Sequence, residues 1–212
     1  MLERQFDEAV RTRIADAVRR AEALSRGQIV PVVVEKSDPY PEAQYRGALV
    51  AAAIATAVVL ALHLPLTLPE LPLAQLAAGL LGAAISLWDP VERLLVGRRG
   101  LDEAVRARAV RAFHEQGLHR TTEGTGVLVF ASLFEREAVV LGDKGIDAKL
   151  APGEWDRTVA ALVEGLRTGD PGKGFVEAIA LCGARLAEHF PRDAATRPPV
   201  NELEDAIRLS RT

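Results

Sequence analysis

The stretch GVLVFASLFEREAVVL, residues 126–141, decides the fold. Its two apolar runs, Gly126–Ala131 and Ala138–Leu141, are rich in β-branched residues and stand a few residues apart across SLFER, the pattern of an antiparallel hairpin. Upstream, Leu101, Val105, Ala109, Ala112 and Phe113 recur at helical spacing as far as Gly117, and before them lies a further run, Ile29–Val34 (IVPVVV). A strand joined to the next through a helix runs parallel to it, so the first two strands are parallel and the third is antiparallel. IVPVVV does not alternate, as expected of a strand covered on both faces, and Pro31 places it at an edge or a bulge. Phe6, Val10, Ile14, Ala17, Val18 and Ala21 mark a helix ahead of it. Two more follow the hairpin, one through Trp155, Val159, Leu162, Val163 and Leu166, the other opening at Asp170-Pro171 and running through Phe175, Ala178, Ile179, Cys182 and Leu186. The expected class is α/β, a small mixed sheet sandwiched by helices.

Between the first strand and the second, Gly47 to Trp88 would hold about 11 charged residues at the chain average. It holds Glu70 alone, with His63 as the one other ionisable group. Two apolar arms, Gly47–Leu62 and Leu71–Trp88, flank HLPLTLPE, and at 1.5 Å per residue each spans roughly 24 to 30 Å, near the thickness of a bilayer core. The reading is a transmembrane helical hairpin over 47–88, since neither arm carries the polar stripe of a soluble helix. Its alternative is a hairpin buried in a soluble α/β domain. Small residues at Gly47, Ala51, Ala55, Gly79, Gly82 and Ala83 suit close helix pairing. Lys36 and Arg46 precede the hairpin and Arg93, Arg98 and Arg99 follow it, while the connecting loop has no Lys or Arg, so the positive-inside rule puts both ends on the cytoplasmic side. Trp88 stands where an interfacial aromatic would, and VERLLVGRRG, residues 91–100, is suited to an anionic leaflet. The N-terminal MLERQFDEAV lacks the apolar core of a signal peptide. The expected location is a membrane, with both termini and the α/β domain on its cytoplasmic side. The expected division is 1–46 with 91–192 as one discontinuous domain, 47–88 as the hairpin, and 193–212 as a linker and short terminal helix.

The 26 basic and 29 acidic residues and the 5% aromatic content leave no electrostatic footprint for nucleic acid. One cysteine, Cys182, excludes an internal disulfide, and four scattered histidines give no zinc-ligand spacing. Gly124, Gly126, Gly142 and Gly145 do not match a dinucleotide fingerprint, so no such cofactor is expected.

Three stretches, RRAEALSRGQIVPVVVEKSDPY (19–40), GTGVLVFASLFEREAVVLGDKGID (124–147) and GFVEAIALCGARLAEHFP (174–191), together resemble the TPM domain family. With the closing NEL at 201–203 and the inserted hairpin, the chain is similar to a bacterial subgroup of uncharacterised membrane proteins bearing that domain. The resemblance implies a Rossmann-like α/β sandwich. It also implies the family's range of roles: photosystem repair and weak acid phosphatase activity in plant members, and calcium binding near acidic loops in some. Many members carry Asp-Asn before the second strand's Gly-Val, where this chain has Glu123-Gly124-Thr125-Gly126.

Antiparallel pairing of the second and third strands sorts the polar candidates onto opposite sheet edges. One gathers Ser37 and Asp38 with Glu135 and Arg136. The other gathers His119, Arg120, Thr121, Thr122 and Glu123 with Asp143, Lys144 and Asp147. Asp143 and Asp147 bracket Gly145 and would offer oxygen ligands to Ca2+ or Mg2+, although two carboxylates are few for ions that take six or more. The plainer reading of Asp143-Lys144-Gly145 is a turn in which Asp bonds local backbone and Gly supplies a positive φ. His119, Arg120 and Glu123 are the catalytic candidates of a phosphatase reading, with Arg120 as the anion donor and His119 as acid or nucleophile. No nucleotide-loop, Cys-loop or aspartyl-phosphate signature accompanies them, and Cys182 reads as core. The expected function is a membrane-anchored, cytoplasm-facing interaction module for the assembly, stability or turnover of other membrane proteins, the lipid bilayer being its first partner. A weak divalent-metal-dependent acid phosphatase is the alternative.

Overall fold

All seven residues of the strand Gln28–Val34 (β1) are buried, so this segment needs cover on both faces. The computed structural model describes residues 2–121, 124–151, 153–192 and 206–210. Their elements run α1 (Leu2–Gln5), α2 (Glu8–Glu22), β1, α3 (Pro41–Ala61), α4 (Glu70–Ile85), α5 (Asp89–Glu115), a 3-10 turn (Leu118–Arg120), β2 (Gly126–Ser132), β3 (Glu137–Gly142), α6 (Lys144–Asp147), α7 (Asp156–Thr168), α8 (Pro171–His189) and β4 (Arg208–Ser210). The chain forms two compact units, Met1–Asp38 with Ala104–Thr212, and Pro39–Glu103.

In the first unit the strands lie in the order β3-β2-β1-β4. β1 is parallel to β2 and to β4, and β2 is antiparallel to β3, a mixed sheet of the expected class. Strand alternation divides the core. Ile29 and Val33 of β1, with Val127, Val129 and Ala131 of β2, pack against α2, α7 and α8 through Ile14, Val18, Leu162, Phe175, Ile179 and Leu186. Val30, Val32 and Val34, with Leu128 and Phe130, face Val105, Ala109, Ala112 and Phe113 of α5. Helix ends follow the local chemistry. Asp7 caps α2 by accepting the Val10 N–H, and Asp170 accepts the Lys173 N–H ahead of Pro171 at the start of α8.

The terminal helix expected within 193–212 is corrected where it can be described. Arg208–Ser210 is a strand, pairing with Val32–Val34; most of the preceding stretch, 193–205, lies outside the described residues. Ile207 and Leu209 turn to the α2–α8 face, an alternation of period two that the acidic NELED stretch before it disguises as helix. β4 also explains Pro31. The Gln28 N–H donates to the Thr125 carbonyl on the β2 side, whereas the Ile29 N–H donates to the Glu22 carboxylate on the other. Alternation puts the N–H that Pro31 lacks on that second side, where β4 begins pairing only at Val32. β1 is thus central at its C-terminal half and an edge at its N-terminal half.

In the second unit α3 and α4 pair as an antiparallel hairpin. A Cβ at Gly82 would stand 2.4 Å from the Gly47 carbonyl oxygen and 2.5 Å from the Ala51 Cβ. Farther along, Gln75 Nε2 donates to Thr56 Oγ1 at 2.8 Å. Among the described residues α3 alone is long and apolar enough to cross a membrane; α4, with 16 residues, reaches that length only together with α5, from which it is bent by 84°.

The Pro31 geometry predicts an asymmetry. Pro31→Val should shift stability by less than about 1 kcal/mol, whereas Val32→Pro, which removes a donor aimed at β2, should cost about 3 kcal/mol or more. Urea midpoints of the two variants check this.

Candidate functional site

The two polar edges are built differently. At the C-terminal ends of β1 and β2, Glu135 is buried in the β2–β3 loop. Its carboxylate accepts the Ser37 backbone N–H at 2.9 Å and the Ser132 hydroxyl. The loop is pinned further by the Leu133 and Phe134 N–H groups, which donate to the carbonyls of Val34 and Glu35. Arg136, at φ 57°, closes the turn in the left-handed region. Of the four residues expected here, Ser37 and Glu135 come together. Arg136 points to solvent, and Asp38 is half-buried at the end of the unit. Glu135 is committed to tying β1 to the hairpin.

The opposite edge holds the 3-10 turn and the start of α6. His119 and Arg120 sit exposed on the 3-10 turn, whose buried Leu118 packs on the sheet. Arg120 Nε lies 3.3 Å from His119 Nε2, and the His119 ring stands 5.1 Å from that of His114. The Gly124 N–H donates to the Thr121 carbonyl, and the Gly124 carbonyl in turn accepts the Gly145 N–H at 3.1 Å, which brings the turn beside the acidic loop. No hydrogen bond or ion pair between described residues links His119 or Arg120 to Asp143 or Asp147. Glu123, the third catalytic candidate, and Thr122 lie outside the described residues.

Asp143 is the N-cap of α6. Its side chain accepts the Lys144 N–H at 2.8 Å, and its carbonyl accepts from Ile146 and Asp147. The turn read from Asp143-Lys144-Gly145 is therefore a helical turn. The positive φ falls on Gly124 (64°), where a Cβ would lie 3.3 Å from the Gly145 nitrogen. Asp147 is exposed, and its pKa is raised, first by desolvation and then by the Asp143 charge. Two carboxylates, one already capping a helix, fall short of the oxygen shell that calcium or magnesium takes. No group of three or more His, Cys, Asp or Glu among the described residues is placed to hold a metal. Cys182 is fully buried in the α2–α8 core, and burial pushes its thiol pKa up, away from nucleophilic use.

Sequence reasoning missed a third feature. A cleft of about 440 Å³ on the β4 side is lined by Arg11, Arg108, Glu115 and Arg208, with Arg108 Nη1 3.2 Å from Glu115 Oε2. Helical spacing from Arg108 to Glu115 was the available signal, but β4 had first to be recognised.

The order and pairing of these elements define a mixed α/β domain with a helical insertion after its first strand. Residues 94–185, fewer than half of the chain, match the family model of the TPM domain, the family resembled by the 124–147 stretch. The fold is shared with the BA42 protein of the psychrophilic bacterium Bizionia argentinensis, solved by NMR, at 21% identity over 95% of this chain and 92% of that one, with a TM-score of 0.57. No curated protein matches the chain.

The acidic loop predicts a pH signature. Because the folded pKa of Asp147 lies above the unfolded one, stability falls as pH rises from about 3.9 through the folded value. Above that window Asp147→Asn should melt higher than the parent, and below about pH 3.5 the two should coincide. A calcium ion held between the carboxylates would reverse the order, so melting curves from pH 3 to 7, with and without calcium, check both points.

Proposed function

We propose that the chain is a membrane-anchored interaction module, in which α3 and α4 cross the bilayer as a hairpin and the α/β unit serves the assembly, stability or turnover of other membrane proteins from the cytoplasmic side. One observation carries the anchoring: the hairpin is built inside out relative to a soluble one. Glycine, alanine and serine fill the seam between α3 and α4, while Leu49 (72%), Leu60 (69%), Leu80 (66%) and Leu81 (62%) are exposed. In water this arrangement forfeits the hydrophobic effect that stabilises helix pairs. In lipid it is the expected one, since association there comes from close packing of small residues and from interhelical bonds such as Gln75–Thr56.

The domain supports an interaction role better than catalysis. Glu135 is occupied in holding the sheet, Asp143 in capping, and Cys182 in the core. The exposed His119–Arg120 pair has no carboxylate bonded to it among the described residues. The acid phosphatase reading therefore lacks an assembled nucleophile and base.

Location and orientation have a direct test. The chain should stay with membranes through carbonate extraction; recovery in the supernatant without detergent would remove the anchor. Because Cys182 is buried, single added cysteines report alone. Thr67→Cys, in the loop between the helices, should react with an impermeant maleimide in spheroplasts, and Glu177→Cys, exposed on α8, only after permeabilisation. Affinity purification from detergent should co-isolate another membrane protein, and recovery of the chain alone counts against the interaction role.

A further inference from the structure

We propose that the first segment of α5, Asp89–Val96, is a third membrane-contacting element, a helix lying in the plane of the bilayer at headgroup depth. This rests on the reading of α3 and α4 as a spanning hairpin. α4 ends at Ile85, yet the carbonyls of Leu95 and Val96 are still within hydrogen-bond reach of Arg46, at the end of the hairpin where Gly47 meets Ser86, so the segment between them turns across that end instead of continuing along α4. α5 is then interrupted at Gly97, whose φ of 77° and ψ of 158° break the helix after Val96.

The segment is clamped at a defined level. Arg46 Nη1 donates to the Leu95 carbonyl at 2.7 Å and to that of Val96 at 3.4 Å, acceptors that the break deprives of helical donors. Arg46 immediately precedes Gly47, where the charge-free arm of α3 begins, and Gly47 abuts Ser86 at the end of α4. The clamp thus holds Asp89–Val96 at the height where both apolar arms stop. At that height four side chains suited to the interface are exposed: Leu87 (64%), Trp88 (67%), Leu94 (80%) and Tyr45 (72%). Tyrosine and tryptophan concentrate at this depth because an apolar ring and a polar tip are both satisfied there.

The occupant is the headgroup and glycerol layer itself, and attraction is apolar rather than electrostatic. Across 41–46 and 89–103, four arginines are offset by five carboxylates, so the segment as a whole carries no net positive charge toward an anionic leaflet.

Depth-dependent quenching tests the proposal on the full chain in phosphatidylcholine vesicles carrying nitroxide at a shallow or a deep acyl position. The chain has two tryptophans, so Trp155→Phe leaves Trp88 as the reporter. Adding Trp88→Phe with Leu94→Trp or with Val58→Trp moves the reporter along α5 or into α3. The reporter at position 58 should be quenched more by the deep label. Those at positions 88 and 94 should be quenched more by the shallow one, at depths within about 3 Å of each other. Were α5 to continue along α4 into water, residue 94 would lie about 9 Å beyond residue 88. Quenching at positions 58 and 88 without quenching at 94 overturns the in-plane helix and leaves the hairpin standing. Loss of quenching at all three positions removes the hairpin and this proposal with it. Quenching at 94 that appears only when a phosphatidylserine fraction is added overturns the apolar mechanism. A spin label at Leu94→Cys reads the same depth with both tryptophans retained.

Discussion

The burial of β1 on both faces governs the α/β unit. A strand whose valines point alternately to two cores cannot be satisfied by one layer of helix. Each buried valine contributes about 1.5 kcal/mol or more of apolar transfer, so neither face can be left wet. One face takes α2, α7 and α8, and the other takes α5 from Val105 onward. The α2–α8 contact is close because Gly183 lies against Ala21, where a Cβ would stand 2.5 Å from the alanine methyl. Parallel pairing of β1 with β2 follows, since α5 must cross over the sheet between them.

The same constraint decides which sheet edge is available for chemistry. Where β1 and β2 end together, the β2–β3 loop folds over them, and the Glu135 carboxylate is consumed by the Ser37 N–H and the Ser132 hydroxyl. At the other edge α6 begins, tied to the start of β2 through the Gly145 N–H and the Gly124 carbonyl. Its carboxylates differ in duty. Asp143 completes the α6 N-terminus, whereas Asp147 faces solvent with its charged form disfavoured.

The sequence announced features that depend on local pattern and concealed those that depend on distant pairing. The β-branched runs at Val30–Val34 and Val127–Phe130, the helical spacing of Val105, Ala109 and Ala112, and the Asp170-Pro171 helix start are readable because each is decided within a few residues. β4 was hidden because three residues carry little period-two signal and the acidic run before them favours a helical reading. Pro31 gave half its meaning, an edge, because the half of β1 that is an edge is set by where β4 starts. Strand order was enough to group Glu135 with Ser37 at one edge, whereas the hydrogen bond that commits the carboxylate to a backbone N–H 98 positions away was not readable. The Gly97 break was veiled by a helical pattern that continues on both sides, with Arg46 supplying the missing donor from another helix.

The hairpin carries its own polarity, fixed by register rather than by composition alone. Setting Gly82 against Gly47 aligns the N-terminal end of α3 with the C-terminal end of α4. That alignment puts Arg46, Arg93, Arg98 and Arg99 at one end. At the other are His63, Glu70 and the prolines, with no Lys or Arg. A one-turn slip would push Arg46 toward the apolar seam and separate Gln75 from Thr56, taking from the Gln75 amide its acceptor on α3 while Thr56 keeps the Ala52 carbonyl. Close packing at Gly82 therefore fixes which polar groups share an end of the hairpin, and a substitution at that glycine would disturb the register as well as stability.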